Sequence, residues 1–230
     1  MWPFGDNDKE MTAEELEKLM EEANRAFEAP QPDYRKALKL YKRAVKKKNG
    51  LAACRLGMMY AAGKGTLSFY SKAIDNFRDA IDWGETDACN KLALMYDAGR
   101  GVSQNSSKCA DLYRDGMDGG SIESINNLGY MYEHGRGMPA NFEMARKLYE
   151  IAASAGIAAS MRHLGSIYEF GKGVEANLET AKDWYRQAAE KGDKKAEKYR
   201  AKLEAGKTPS HEDKDPDYAS IVNILETTVR

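Results

Sequence analysis

Apolar residues between positions 51 and 192 recur at helical intervals and do not alternate: Ala52, Ala53, Leu56, Met59 and Tyr60 share one face at i, i+3 or i+4 spacing. The run Leu56-Gly57-Met58-Met59-Tyr60 returns as Leu92-Ala93-Leu94-Met95-Tyr96, Leu128-Gly129-Tyr130-Met131-Tyr132 and Leu164-Gly165-Ser166-Ile167-Tyr168, at a constant period of 36 residues. Each run predicts one helix, A. Two variable residues further on stands a Gly-x-Gly unit: Gly63-Lys64-Gly65, Gly99-Arg100-Gly101, Gly135-Arg136-Gly137 and Gly171-Lys172-Gly173. Glycine takes positive φ without strain just past a helix end, so these units terminate helix A. The basic residue between the glycines then lies beside the negative end of the helix dipole. An anion-binding line is the alternative reading of the same four positions.

A second helix, B, follows in each period. Asn105, Asn141 and Asn177 stand where an N-cap is needed. Phe69 holds that column in the first period, so Ser68 or Ser71 is expected to substitute. The buried columns of helix B are Ala73, Cys109, Ala145 and Ala181, then Phe77, Tyr113, Tyr149 and Tyr185. Small residues let helices approach and aromatics fill the gap between them. Tyr60, Tyr96, Tyr132 and Tyr168 are expected in the core as well. Helix B ends at Gly84, Gly120, Gly156 and Gly192.

The period extends outward in weaker form. Ala37, Tyr41 and Ala44 predict a B helix over 33–48, preceded by an A-like helix over roughly 12–28; Ala196, Tyr199 and Leu203 predict a polar closing helix. The expected organisation is therefore a tip (1–11), an N-terminal helix pair (12–50), four repeats (51–84, 85–120, 121–156 and 157–192) and a capping helix (193–205). Residues 206–230 read as a linker followed by an apolar stripe, Ile221, Ile224 and Leu225, suited to a short docking helix.

The pattern L-G-x-x-Y-x-x-G-x-G followed by A-x-x-x-Y-x-x-A-A-x-x-G can be matched to a family. Residues 51–192 resemble Sel-one-like repeats, a tetratricopeptide-like group of α/α units; Leu164-Gly165, Tyr168, Gly171, Gly173, Ala181, Tyr185, Ala188, Ala189 and Gly192 carry the match. Residues 1–50 look more like a tetratricopeptide pair. The resemblance implies an all-α fold, a right-handed α-solenoid of stacked antiparallel helix pairs, acting as an adaptor or scaffold that holds other proteins. One secreted branch of the family carries paired cysteines and has been linked to β-lactam hydrolysis. Here Cys54, Cys89 and Cys109 fall in three different repeat columns, so that inference does not transfer.

Charge narrows the partners. Lys plus Arg number 35 against 36 Asp plus Glu, for a formal net charge of -1. No global field draws the chain to nucleic acid. No apolar run reaches the roughly 18 to 20 residues of a membrane span, and the first residues, Trp2-Pro3-Phe4 among them, lack a secretory pattern, so a cytoplasmic protein without membrane insertion is expected. Chemistry is sparse. His134, His163 and His211 show no H-E-x-x-H spacing, and Gly63-Lys64-Gly65-Thr66 fails as a phosphate loop because Met58 stands where a glycine is required. No catalytic residue, metal site or cofactor is implied, and the chain reads as a non-enzyme. The basic stretch Arg35, Lys36, Lys39, Lys42, Arg43, Lys46, Lys47 and Lys48 reads either as a patch for nucleic acid or an acidic protein or, as expected here, as charge compensated by Glu14, Glu15, Glu17, Glu21, Glu22 and Glu28 on the preceding helix.

The better site argument comes from the repeat. Core columns repeat, so whatever varies on helix A is free to specify a ligand along the inner wall of the solenoid. One stripe at i, i+4 and i+8 reads Cys54, Met58, Ala62; Asn90, Leu94, Ala98; Asn126, Tyr130, His134; and Arg162, Ser166, Phe170, with Asp97, Glu133 and Glu169 in the adjacent column. Asn90, Leu94, Asp97, Asn126, Tyr130, Glu133, His134, Arg162, Ser166 and Phe170 are the candidate ligand-binding residues, capturing a protein or peptide segment in a concave groove. The rival readings are a hydrolase of cell-wall or β-lactam compounds and an immunity-type protein that occludes a partner toxin or enzyme.

Overall fold

The structure, a computed structural model, describes residues 11–206. The expected tip, linker and docking helix, and His211, lie outside them apart from Met11 and Gly206. Eleven helices and no strand occur among the described residues: α1 (Ala13–Glu28), α2 (Tyr34–Val45), α3 (Gly50–Ala62), α4 (Tyr70–Asp82), α5 (Asp87–Ala98), α6 (Ser106–Asp118), α7 (Ile122–His134), α8 (Phe142–Ser154), α9 (Ala158–Phe170), α10 (Leu178–Glu190) and α11 (Lys194–Glu204). The chain divides into two compact units between Ala88 and Cys89. In the first, α1 to α4 pack in sequence order; in the second, α6 to α11 do the same. The fold class is an all-α repeat solenoid. Among the described residues no helix is long and apolar enough to cross a membrane.

Local chemistry fixes the helix ends. The side chains of Asn105, Asn141 and Asn177 accept the N–H groups of Lys108, Met144 and Thr180 at 2.9, 2.9 and 3.0 Å, which places the starts of α6, α8 and α10. Neither serine substitutes at α4. That helix starts at Phe69 with no side-chain cap, because Ser68 sits one residue outside the capping position and its hydroxyl donates to the Ala61 carbonyl at 2.8 Å. At the other end, Gly63, Gly135 and Gly171 adopt φ of 69°, 63° and 64°. The next N–H then folds back onto the last turn, as in Lys64 to Met59 and Lys172 to Ile167 at 2.9 and 3.0 Å.

The second glycine of the Gly-x-Gly unit has a different reason. A Cβ on Gly65 would lie 2.5 Å from the Tyr34 carbonyl oxygen, and one on Gly137 would lie 2.4 Å from that of Ser106. The loop after each of these A helices is thus pressed against the start of the preceding B helix. Both positions also have positive φ, so nothing larger fits.

The core is built from a repeated pairing. Tyr41, Phe77, Tyr113, Tyr149 and Tyr185 on the B helices are fully buried, each one turn beyond a fully buried Ala or Cys. The rings of Phe77, Tyr149 and Tyr185 lie against Gly57, Gly129 and Gly165, where a Cβ would come within 2.9 Å of the ring. The Leu-Gly dipeptide is therefore the socket for the B-helix aromatic. Tyr60 is buried as expected, whereas Tyr96, Tyr132 and Tyr168 are half-buried.

Gly137 and Gly120 separate backbone strain from crowding. A Cβ at Gly120 (φ 86°) meets nothing within 4 Å, so Gly120→Ala should cost about 1 to 2 kcal/mol from the dihedral alone. Gly137→Ala adds a clash with backbone and should cost about 3 kcal/mol or more. Urea denaturation of the two variants checks the order; equal costs would mean the loop shifts freely.

Candidate functional site

The predicted ligand stripe is largely occupied by the protein itself. Asn90, Leu94, Asp97, Tyr130, Glu133 and Arg162 are all buried, none more than 6% exposed. Asn126, Ser166 and Phe170 are half-buried, and His134 is exposed. The polar members are buried because each has an internal partner. Asn127 donates to Asn90 at 2.8 Å, Asn126 donates to Asn127 at 3.0 Å, and Ser160 donates to Asn126 at 2.7 Å. The Arg162 guanidinium donates to Asp193 at 2.9 Å, and Asp193 in turn caps α11.

The acidic column is the centre of this network. Glu133 Oε2 accepts the Tyr149 hydroxyl at 2.9 Å and lies 3.1 Å from His163 Nδ1, while its Oε1 accepts the Lys172 ammonium at 2.7 Å. Glu169 likewise accepts the hydroxyl of Tyr185. Asp97 accepts Arg136 at 2.9 Å. Its second oxygen is left unsatisfied and does not bond the Tyr113 hydroxyl, because aspartate is one methylene too short for the bridge that Glu133 makes. Where the column holds Ala61, the facing aromatic is Phe77, with no hydroxyl to satisfy. The basic residues of the Gly-x-Gly units are thus explained in two cases: Arg136 and Lys172 tie each loop to the A helix of the preceding repeat.

What stays accessible lies around Lys172. The His134 ring stacks on Tyr130 with centroids 4.1 Å apart, and His163 stacks on Tyr149 at 4.8 Å. The Lys172 ammonium sits 5.8 Å from the Phe170 ring centre and 3.5 Å from the Ser166 hydroxyl. A serine beside a lysine can form a nucleophilic dyad only if the amine is neutral and able to take a proton. Here the ammonium is ion-paired with Glu133, so the pair offers no base. Among the described residues no group of three or more His, Cys, Asp or Glu side chains is placed to hold a metal ion.

The Sel1 repeat family model matches residues 27–49, 50–82, 86–114, 122–157 and 158–193, more than half of the chain. The chain belongs to the Sel1 repeat family. Its first matched segment falls within the stretch read from sequence as tetratricopeptide-like. Solved structures with the same fold include a Sel1 repeat protein from Oxalobacter formigenes, 24% identical with a TM-score of 0.78 over 96% of this chain and 91% of that one. Another is c5321, a protective antigen present in uropathogenic Escherichia coli strains, 25% identical with a TM-score of 0.76; the match covers 93% of this chain and 46% of that one. The immunity protein Pa5087 from Pseudomonas aeruginosa, at 18% identity and a TM-score of 0.57 over 93% of this chain and 81% of that one, shares the fold. No curated protein shows significant sequence similarity to the chain. Sel1 repeats commonly mediate protein–protein interaction, and the family is generally non-catalytic.

Within these Sel1 repeats the sequence reading missed Tyr149, His163, Lys172, Asn127 and Asp193 as partners of the stripe. The signal was present as a paired change, Ala61 with Phe77 against Glu133 with Tyr149 and Glu169 with Tyr185.

Two acids of the column, Asp97 and Glu133, respond oppositely to pH. Burial pushes the Asp97 carboxyl up to about 6 against the pull of Arg136, so the folded state holds its proton more tightly than the unfolded chain. Its contribution to stability falls as pH rises from about 4 to about 6. Burial alone would raise Glu133 too, but hydrogen bonds and charge from His163 and Lys172 hold it well below the usual carboxylate range. Its contribution is full above about pH 4.5 and is lost as pH falls below that. Asp97→Asn should therefore gain on the parent chain between pH 4 and 6, while the deficit of Glu133→Gln should be constant above about pH 5 and shrink below about 4.5. Urea midpoints across that range test this; parallel curves for the three chains would refute the assignment.

Proposed function

We propose that the chain is a non-catalytic adaptor that captures a segment of a partner protein on the A-helix face of α7 and α9. His134, Ser166 and Phe170 make the contacts, and Asn126 borders them. Tyr130, Glu133, His163 and Lys172 hold the surface rigid from behind. Asn90, Leu94, Asp97 and Arg162 serve this reading as internal ties and leave the guest to others. The observation that supports it is the stacking of His134 on Tyr130 and the placing of Lys172 between Glu133 and Phe170, which fix side chains that would otherwise lose rotamer freedom on binding. The guest would present an apolar side chain to Phe170 and a hydrogen-bonding group to His134 or Ser166. Cys54, Cys89 and Cys109, all buried and outside any disulfide, support a reducing, cytoplasmic working compartment.

Native pull-down with the full chain, followed by mass spectrometry, tests the site. The double variant His134→Ala/Phe170→Ala should retain the main partner about ten-fold less, with circular dichroism unchanged. Equal retention would overturn the reading. A retained enzyme whose turnover stops on binding would identify occlusion of an immunity type as the role of the same surface.

A further inference from the structure

The outward face of α2 carries charge differently from the other B helices. On α8, Arg146 pairs with Glu150 and Lys147 with Glu143; on α10, Arg186 pairs with Glu190 and Lys182 with Glu179. No acidic residue occurs between Tyr34 and Val45. Instead Lys39, Lys42, Arg43, Lys46, Lys47 and Lys48 are all exposed on this helix and the turn that follows it. Lys39 with Arg43, Lys42 with Lys46, and Arg43 with Lys47 stand four apart, a spacing at which like charges repel on a helix. The glutamates of α1 offset them only in part: Arg43 acts on Glu22 through its charge. Among the described residues a single ion pair joins α1 to α2, Lys36 to Glu22 at 2.8 Å. Lys42 lies over the Tyr60 ring at 5.8 Å.

Lys48 adds an independent observation. Its φ is 55°, the left-handed region, and it is the one non-glycine residue with positive φ among the described residues. The same repeat column holds Gly84, Gly120, Gly156 and Gly192, with φ of 86° to 91° and open space around each. The turn therefore requires left-handed backbone, which glycine supplies without strain and lysine does not. Lys48 is exposed, so packing calls for no ammonium there, and the end of the helix dipole favours one only mildly.

We propose that the α2 face and its Lys46–Lys48 turn form a second protein-binding surface, which takes a run of aspartates and glutamates in a partner polypeptide. It belongs to the other compact unit and does not depend on the site proposed on α7 and α9. The row from Lys39 to Lys48 is about 14 Å long, the span of about four residues of extended chain. Charge complementarity selects an acidic strand. Single-stranded nucleic acid needs aromatic platforms among the cations, and the one aromatic in the middle of α2, Tyr41, is fully buried.

The test uses the full chain and fluorescein-labelled octaglutamate, read by anisotropy at about 50 and about 150 mM salt. Lys39→Glu/Arg43→Glu/Lys46→Glu should lose about ten-fold or more in affinity, whereas Lys182→Glu/Arg186→Glu on α10 should change it less than about two-fold. Lys48→Gly should raise the melting temperature by about 2 to 4 °C and weaken the peptide about two-fold. Unchanged affinity in the triple variant, or a Lys48→Gly chain that gains stability at no loss of binding, would overturn the proposal. So would tighter binding of a twelve-nucleotide oligothymidylate than of octaglutamate. A rise in affinity in Glu212→Lys/Asp213→Lys/Asp215→Lys would also overturn it, since the chain's own acidic segment would then be the occupant.

Discussion

A buried carboxylate cannot be left alone, and in this protein that rule ties the repeats together. Each acidic A-helix residue sits behind the B-helix aromatic of its own hairpin, where removing a charge from water is costly unless donors replace the lost solvent. Glu133 meets the requirement with a hydroxyl from α8, a ring nitrogen from α9 and an ammonium from the loop beyond α9. Three segments distant in sequence are held in register by one side chain. The first hairpin of this register takes the other stable solution: Ala61 opposite Phe77 removes acceptor and donor together, leaving an apolar contact with nothing unsatisfied.

The same constraint decides which A-helix positions can serve a ligand. A stripe that varies from repeat to repeat is free of the core pattern, but it is not thereby free of the fold. Asn90, Asn126 and Arg162 share one column, yet each meets a different neighbour, Asn127, Ser160 and Asp193 in turn. Variation at these positions records how successive hairpins interlock. Behind His134, Ser166 and Phe170 the partner network lies one layer deeper, and these side chains are exposed or half-buried.

The fold was legible because its determinants are local and repeated. Asn105, Asn141 and Asn177 announce helix starts, and the Gly-x-Gly units announce helix ends, within a few residues of where the hydrogen bonds form. The ligand stripe was legible only as a stripe. Helical spacing places Asp97, Glu133 and Arg162 on one face correctly, yet whether that face meets water depends on residues 31 to 39 positions away, such as Asp193, Arg136 and Lys172. Period-36 alignment puts those residues in columns of their own, where each has a sufficient local explanation as a cap or a dipole partner. The missing step was to read two columns jointly, since a hydroxyl that disappears together with a carboxylate marks a contact. The basic face of α2 was visible in the sequence as eight cations facing six glutamates on α1, but which of them meet depends on how the two helices turn their faces, and among the described residues one ion pair joins them, Lys36 to Glu22.

The three acids of the column, compared with one another, locate the most firmly held part of the second unit. Asp97 has one cation and no hydroxyl within reach, and burial wins, raising its carboxyl. Glu169 has the Tyr185 hydroxyl, with Lys202 and Lys172 acting only through their charge, and burial again wins. Glu133 alone combines a hydroxyl with two nitrogen partners, and there the attraction overcomes desolvation and the carboxylate is favoured. The best-satisfied charge therefore lies at the junction of α7, α8 and α9, beneath the accessible rings of His134 and Phe170. A binding surface gains most from fixed supporting groups when their strain and desolvation have been offset before the guest arrives. The strongest internal tie lies beneath the open part of the stripe, and this coincidence is what favours α7 and α9 over the earlier repeats as the proposed capturing face.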